Sequence, residues 1–453
     1  MCSADARPVL YDRRWQESTC SLPSQRSELL QVVPYTEGAS PSKGNWPQRS
    51  KSYRSGSDRD LEGEWLVTFI LPAASASRSC LGASWQATWH ALVSGKTGFS
   101  QPQAQFPHWP PGPPAGIIEA WPDGAPAPFD RFRSIISSVL QDIAPSVFCL
   151  NELNPGARCI VIVASSHGDP GPLGVLANPT AARIPGDVID RLLWDDLTEL
   201  VAEYLGYVRL IPVHGACASG IVGLLEAKSV LDSGLFDVAV LLAADSISLL
   251  AYTGFQNIGA MSKVGCRPFS GAEEGMTTGE GAVALLLAGP NCRLPPGPRV
   301  QVLGGACTCD GEGMVEPSTS GLVATIGTAL ASAQVSPAQV EFVYWHGTGT
   351  ARNDMTEAST ARAIWPDGNV PTGTASKGLL GHTMGAAAGF SVASAAETLV
   401  SGTLPGIPYR IDEKFADLNL AATNRHGQFT RGMCVAMGFG GINAAILLEN
   451  LDK

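Results

Sequence analysis

The chain has 453 residues, 45% of them hydrophobic and 16% charged, with a formal net charge of −11 at pH 7. That length exceeds one ordinary core, so one large domain or two fused ones are expected. The acidic balance argues against a nucleic-acid binder. No stretch reaches the roughly 18 uncharged apolar residues of a membrane span, and the best run, 238–250, is broken by Asp245. The opening MCSADARPVLYDRRW lacks the hydrophobic region of a signal peptide, so the sequence reads as soluble and cytoplasmic. The 11 cysteines are scattered without a C-x-x-C pair, which fits reduced thiols rather than a disulfide framework. Cys307 and Cys309 form a C-x-C with no second pair or histidine nearby, so no metal site is expected there.

In chain order, residues 1–62 are rich in Ser, Arg and Pro and poor in apolar periodicity, the composition of a disordered or atypical extension. From there the text changes. WLVTFILPA predicts a buried strand, and CLGASWQATWHALVSGKTGF a helix ending near Gly95. QPQAQFPHWPPGPPAG is a loop. CIVIVASS (159–166) predicts a strand and 186–206 a helix. LIPVHGA leads into a helix that runs to about Leu231 and stops at Ser233-Gly234. DVAVLLAAD and GAVALLLAG predict strands, and GPNCRLPPGP a linker. The succession then restarts with RVQVLGGAC, a helix over 321–334, EFVYWHG, a helix near 354–364, a loop at Lys377, a helix over 384–401 and the closing CVAMGFGGINAAILLE. Alternating strands and helices with near-continuous apolar strands indicate an α/β protein. Two similar successions, 63–297 and 298–453, suggest a duplicated core.

Cys217 stands in VHGACASGIVGLLEAK, where an apolar strand gives way to an apolar-periodic helix. A buried structural thiol is the commoner fate of a cysteine. The alternative is a nucleophile: a helix start stabilises a thiolate, and small neighbours leave room for a substrate chain. Two of the seven histidines sit in distinctive settings, His346 in YWHGTGTARNDMTE and His382 in SKGLLGHTMGAAAG. A lone histidine is ordinarily a satisfied core residue. Two of them in Gly/Thr-rich loops after strands, with a cysteine in the same loop type, weaken that reading.

The ordered motifs GACASG, GCRPF…GEGA, HGTGT…ND..E, K…GHTMGAAAG and GFGGINA resemble those of the β-ketoacyl-acyl-carrier-protein synthases over about 64–450. The resemblance implies a thiolase-like fold, two duplicated halves in a five-layer α-β-α-β-α arrangement. The first half holds the nucleophile and the second the two catalytic histidines. It implies that Cys217 carries the acyl chain as a thioester, and that His346 and His382 face the reacting malonyl carbonyl. Lys377 sets the electrostatics and helps position His382, and Thr348 and Thr350 contact the phosphopantetheine arm. Asp354 and Glu357 organise the site, Phe439 is a mobile gate, and Asn443 supports the gate loop. It further implies no cofactor, substrates delivered by an acyl carrier protein, and a homodimer or a heterodimer with a related subunit.

The chemistry is consistent with two histidines. Decarboxylation of a malonyl thioester places charge on an enolate oxygen. Two neutral imidazole N–H donors stabilise it without quenching the carbanion, at roughly 3–4 kcal/mol each. The backbone N–H groups of Cys217 and Phe439 are candidates for the oxyanion of the condensation step.

Chain-initiating relatives carry Asn where His382 stands, so the His-His pattern points to the elongating branch. Thiolases offer a second cysteine in a Cys-Gly-Gly-type motif, whereas Cys434 is followed by Val-Ala-Met. Non-catalytic partner subunits lose the nucleophile, which is present here. An acyltransferase and a non-elongating subunit are the alternatives. The run ARND replaces a more usual Pro-Leu-Gly-Asp, and His214 is unusual, expected to pack or else to tune the thiolate. Arg131, Arg133, Lys263 and Arg267 are candidates for a basic patch that docks an acidic carrier.

Overall fold

The computed structural model describes residues 67–121, 124–172, 195–206, 208–271 and 275–451. The expectation for residues 1–62 and the first part of the 186–206 helix lie outside the described residues.

The first half contains β1 (Thr68–Ile70), β2 (Ala76–Ser79), α1 (Trp85–Val93), β3 (Phe99–Ser100), β4 (Ala115–Gly116), α2 (Arg131–Leu153), β5 (Cys159–Ala164), α3 (Asp195–Leu205), β6 (Arg209–Val213), α4 (Ser219–Asp232), β7 (Val238–Asp245), α5 (Leu249–Asn257) and β8 (Gly281–Ala288). The second contains β9 (Val300–Cys309), α6 (Thr319–Ala333), β10 (Phe342–Tyr344), α7 (Ala351–Ile364), β11 (Thr372–Thr374), α8 (Lys377–Leu380), α9 (Ala386–Ser401), β12 (Thr403–Leu404), β13 (Arg425–His426), β14 (Arg431–Gly438) and β15 (Ile442–Asn450).

Several elements differ from the sequence expectation: α5 forms where no element is expected, and α8 forms in the loop expected at Lys377. The strand expected at WLVTFILPA is cut short as β1 by a 3-10 turn at Pro72–Ala74, because proline has no N–H for a ladder. Residues 131–153 carried no assigned element, yet they form the long helix α2 with Pro145 inside it. Pro145 lies on the exposed side, so the backbone carbonyl it leaves unpaired faces water rather than the core.

The strand order β6-β5-β7-β8-β1 recurs as β11-β10-β14-β15-β9. Directions recur as well. In each half the first three strands run parallel, and the two that follow join antiparallel. β1 also pairs with β9, so the two ladders run on as one 11-stranded sheet, with β2 beside β8.

Side-chain alternation assigns the faces. Ile160, Ile162 and Ala164 of β5 share a core with Leu224 of α4 and Val392 of α9, while Val161 and Val163 pack with Ile136 and Val139 of α2. On β10, Phe342 and Tyr344 join the same central core, while Val343 packs with Leu322 and Ile326 of α6. Helices α4 and α9 thus form a middle layer, with α2 and α3 outside one sheet half and α6 and α7 outside the other. These are the five layers α-β-α-β-α of a thiolase-like fold. Both faces of β5, β7 and β8 are covered, which explains their unbroken apolar text. Among the described residues no helix is long and apolar enough to cross a membrane.

The middle layer rests on a close helix crossing. A Cβ at Gly220 would stand 2.2 Å from the backbone nitrogen of Gly389, and Gly220 N–H donates to Gly385 O at 3.1 Å. The N-terminal ends of α4 and α9 therefore meet. Gly220→Ala has no space to relax into. It is expected to lower stability by about 1–3 kcal/mol, the range for overpacking, read as a reduced denaturant midpoint at unchanged slope.

Candidate active site

Cys217 follows β6 on a sharp turn. Ala216 takes φ +48°, a region that costs a non-glycine residue of order 1–3 kcal/mol and is held only by surrounding contacts. Ser219 supplies them: its one hydroxyl proton is shared between Ala216 O (2.6 Å) and Ser165 O (3.0 Å), and its oxygen accepts Gly215 N–H (2.9 Å). The thiol lies at one wall of a cavity of about 620 Å³ that His346, His382, Thr348, Phe439 and Asn443 also line.

His346 follows β10 and His382 precedes α9. Their rings lie 5.5 Å apart, nearly perpendicular at 85°. Glu357 fixes the His346 backbone, accepting N–H bonds from His346 (2.5 Å), Gly347 (2.9 Å) and the Asn353 amide (2.7 Å). Lys377 Nζ donates to His346 O (2.5 Å) and stands 3.3 Å from His346 Nδ1. An ammonium donor at Nδ1 leaves the ring proton on Nε2. His382 is held by its backbone: its N–H donates to Thr277 O (2.6 Å) and its O accepts Gly279 N–H (2.9 Å).

The remaining residues surround this centre. Asp354 accepts Phe269 N–H (2.6 Å) and Gly349 N–H (3.2 Å), holding the loop that carries Thr348 and Thr350, whose hydroxyls are 3.0 Å apart. Asn443 donates to Asp310 (2.8 Å) and Gly441 O (3.1 Å). The Phe439 ring is 40% exposed and tilts against Phe255 at 5.7 Å.

Burial dominates the electrostatics. It holds both imidazoles well below the ordinary histidine range, aided by Lys377 and, at His346, by the second ring. It lowers the Lys377 ammonium, against the pull of Glu357, and raises the Glu357 carboxyl together with Asp354, against its N–H donors. The Cys217 thiol is pushed up to about 12 by burial; Lys377 opposes this, Asp245 adds to it, and the N–H groups of Phe439 and Cys217 point at the sulfur and lower it.

Several expectations are corrected. The helix start does not produce a resting thiolate at Cys217, because desolvation outweighs the favourable groups. Lys377, at the start of α8, bonds to His346 rather than positioning His382. His214 does not pack: it is exposed, with Nδ1 3.0 Å from Ser165 O. Arg131 cannot dock a carrier. It is 1% exposed, bonded to Glu280 through Nε (2.7 Å) and Nη2 and to Ile118 O (3.0 Å), beneath the Phe106 ring. Arg133 is half-buried, and only Lys263 and Arg267 of the four are exposed.

Sequence reading passed over Asp245, which accepts from Ser165 Oγ (2.6 Å), Ser166 N–H (2.9 Å) and Gly385 N–H (2.6 Å) and so joins the ends of β5 and β7 to α9. An aspartate closing an otherwise apolar strand was the available signal. Asn353 was quoted in its motif without a role. Among the described residues no group of three or more metal-ligating side chains is placed to hold an ion.

The fold is of the thiolase-like class. Residues 209–290 match the family model "Beta-ketoacyl synthase, N-terminal domain", and 300–408 match "Beta-ketoacyl synthase, C-terminal domain". Over these residues the chain is similar to the β-ketoacyl synthase family. It is 26% identical over 273 residues to the polyketide biosynthesis malonyl-ACP decarboxylase PksF of Bacillus subtilis, an alignment covering 57% of this chain and 65% of that protein. It thus spans less than two thirds of that curated relative. The ishigamide ketosynthase/chain length factor superposes with TM-score 0.73 at 23% identity, over 85% of this chain and 99% of that one. AntDE:AntF, a type II PKS acyl-carrier protein in complex with its ketosynthase, superposes with TM-score 0.72 at 17% identity, over 85% of this chain and 100% of that one.

Two buried neutral imidazoles have a consequence for stability. The unfolded chain binds their protons near pH 6.5 and the folded chain does not, so their contribution is complete above that pH and is lost as pH falls below it. In thermal melts between pH 7.5 and 5.5, a His346→Gln/His382→Gln variant should lose stability less steeply than the native chain, by up to about 1.4 kcal/mol per ring per pH unit. Equal slopes would show that the rings already take up protons in the folded state.

Proposed function

We propose that this protein is an elongating β-ketoacyl synthase that condenses an acyl chain on Cys217 with a malonyl unit held by an acyl carrier protein. The observation that carries this reading is the convergence of Cys217, His346 and His382 on one cavity, with both rings held neutral.

In the first half-reaction, Cys217 sulfur attacks the acyl thioester on the carrier arm. A new S–C bond forms, the old one breaks, and the thiol proton passes to the departing carrier sulfur. The N–H groups of Cys217 and Phe439 take the tetrahedral oxyanion. Malonyl thioester then loses CO₂, and its electron pair is held as an enolate by the two imidazole N–H donors. Neutrality matters here, because an imidazolium would protonate the carbanion. The carbanion attacks the Cys217 thioester, and the thiolate leaves and takes a proton from solvent. Thr348 and Thr350 line the route of the pantetheine arm. No cofactor enters any step.

A cytoplasmic location is part of this proposal. Strand β6 ends the sheet path with half-buried Leu210, Ile211 and Val213 and no further ladder partner among the described residues. Such an edge suits pairing with a second copy or a related subunit; the ishigamide structure is named for a ketosynthase and a chain length factor. Exposed Arg267, whose backbone adjoins Gly349 of the threonine loop, is placed to meet an acidic carrier. Arg267→Glu should raise KM for a carrier-bound primer severalfold and leave KM for the same acyl group on free pantetheine unchanged, with equal effects on both dismissing the contact.

Intact-protein mass spectrometry with a panel of acyl-carrier thioesters tests the reaction, followed by malonyl-carrier with CO₂ and product measured together. Cys217→Ala should form no adduct and no β-ketoacyl product. His382→Ala should still acylate but release CO₂ about 10²–10³-fold more slowly. CO₂ release that leaves only acetyl-carrier would identify a decarboxylase, the activity named for PksF. An adduct without CO₂ release would identify a plain acyltransferase.

A further inference from the structure

Asp245 is a fully buried acidic residue that the condensation chemistry leaves unused. It closes β7, and its Oδ2 accepts the N–H groups of Gly385 (2.6 Å) and Ser166 (2.9 Å). Its Oδ1 accepts from Ser165 Oγ (2.6 Å) and faces His167 Nδ1 at 3.6 Å. The His167 side chain is 30% exposed, so solvent lies one side chain away.

The same kind of pocket occurs in both halves of the fold. Each middle-layer helix is entered through a left-handed residue, Ala216 (φ +48°) before α4 and Met384 (φ +51°) before α9. The hydrogen bonds that follow match. Ala218 N–H donates to Gly215 O and Ser219 N–H to Ala216 O in one, and Ala386 N–H to Thr383 O and Ala387 N–H to Met384 O in the other. Gly385 therefore stands where Cys217 stands in the first half. At Cys217, its own N–H and that of Phe439, just past β14, point at the sulfur beside the cavity. At Gly385, its own N–H and that of Ser166 point at a carboxylate from the end of β7, the strand that matches β14 in the repeated order. One half leaves its amide pocket facing the cavity, and the other fills it with Asp245.

The filled pocket adjoins the turn that carries His382. Lys377 stands at Nδ1 of His346, whereas neither His382 Nδ1 nor Thr383 Oγ1 has a hydrogen-bond partner among the described residues. The His382 ring is thus aimed by its backbone alone. That backbone is fixed on one side by Thr277 and Gly279 and on the other through Gly385. Between them lies Met384, and a left-handed non-glycine residue persists only where its surroundings hold it. An N–H bond to a carboxylate is a strong tether for such a turn.

We propose that Asp245 is a positioning residue for His382: its carboxylate fills the second helix-start pocket and, through Gly385 N–H, holds the left-handed turn that aims the His382 ring at the malonyl unit. The inference rests on the condensing-enzyme reading.

The test follows two rates, Cys217 acylation by intact mass and CO₂ release from malonyl-carrier by the acylated protein. Asp245→Ala should acylate at or above the native rate, because a group that disfavours the thiolate is gone. Its CO₂ release should fall about tenfold at unchanged KM for malonyl-carrier. Formate matches the missing carboxylate group, and added formate should restore most of that loss. Chloride at equal ionic strength should restore none, and the native chain should respond to neither. A parallel fall of both rates, or no recovery in formate, overturns the positioning role while the condensing reading stands. If the alanine variant does not fold, Ser165→Ala decides. It strips one donor from the carboxylate and should slow CO₂ release severalfold with acylation kept, and an unchanged CO₂ rate there overturns the role. Absence of any Cys217 adduct in the native protein overturns the condensing reading and the positioning role with it.

Discussion

The site depends on the crossing of two central helices at glycine. Gly220 and Gly389 bring backbone against backbone, and nothing larger fits between them. Each helix follows a strand of its own half, and each is preceded by a loop that carries a side chain of the candidate site: Cys217 before α4 and His382 before α9. Close approach at the crossing is thus what makes two distant stretches of sequence neighbours. Asp245 stiffens the junction from the side, by accepting from both the β5 end and the Gly385 amide, and Ser219 passes that rigidity to the strained turn at Ala216.

Burial at this junction acts in opposite senses on the reacting groups. It keeps both imidazoles neutral, which suits donors beside a carbanion. It also raises the thiol, which a nucleophile does not want. The two are reconciled by what surrounds the sulfur. The N–H groups of Phe439 and Cys217 and the nearby Lys377 favour negative charge there, and the same N–H groups are placed for an oxyanion. Negative charge at the sulfur is therefore favoured only locally, while burial keeps the thiol protonated.

Much of this was legible in the text of the chain. Unbroken apolar runs such as VAVLLAAD and GAVALLLA marked strands covered on both faces, and the restart after residue 298 reflects a strand order that occurs twice. Cys217, His346 and His382 stood out because small and hydroxylic residues surround them where packing residues were expected. Partners are another matter. Nothing in local sequence tells that Lys377 reaches His346 rather than His382, since both follow strands of the same half and only the β10–β11 pairing decides. Arg131 looked like a surface cation because α2 itself was hidden by Pro145; its partner Glu280 lies 149 residues away. The sign of the thiol shift also escaped, because a helix start is a local feature and desolvation is a property of the whole fold.

The division between fixed and variable parts follows the same line. The residues of the candidate site hang from strand ends and helix starts of the central layers, where a shift of any one disturbs several buried hydrogen bonds. The rim is different. Segment 310–317, between β9 and α6, and the start of α7 meet through the exposed side chains of Glu316 and Arg352, and the departure at Arg352 changes no buried contact. Sequence can vary there at little cost to the fold, and such a rim meets every substrate before the thiol does. An entering ligand therefore meets exposed, weakly held groups first, and the buried cluster lies behind them.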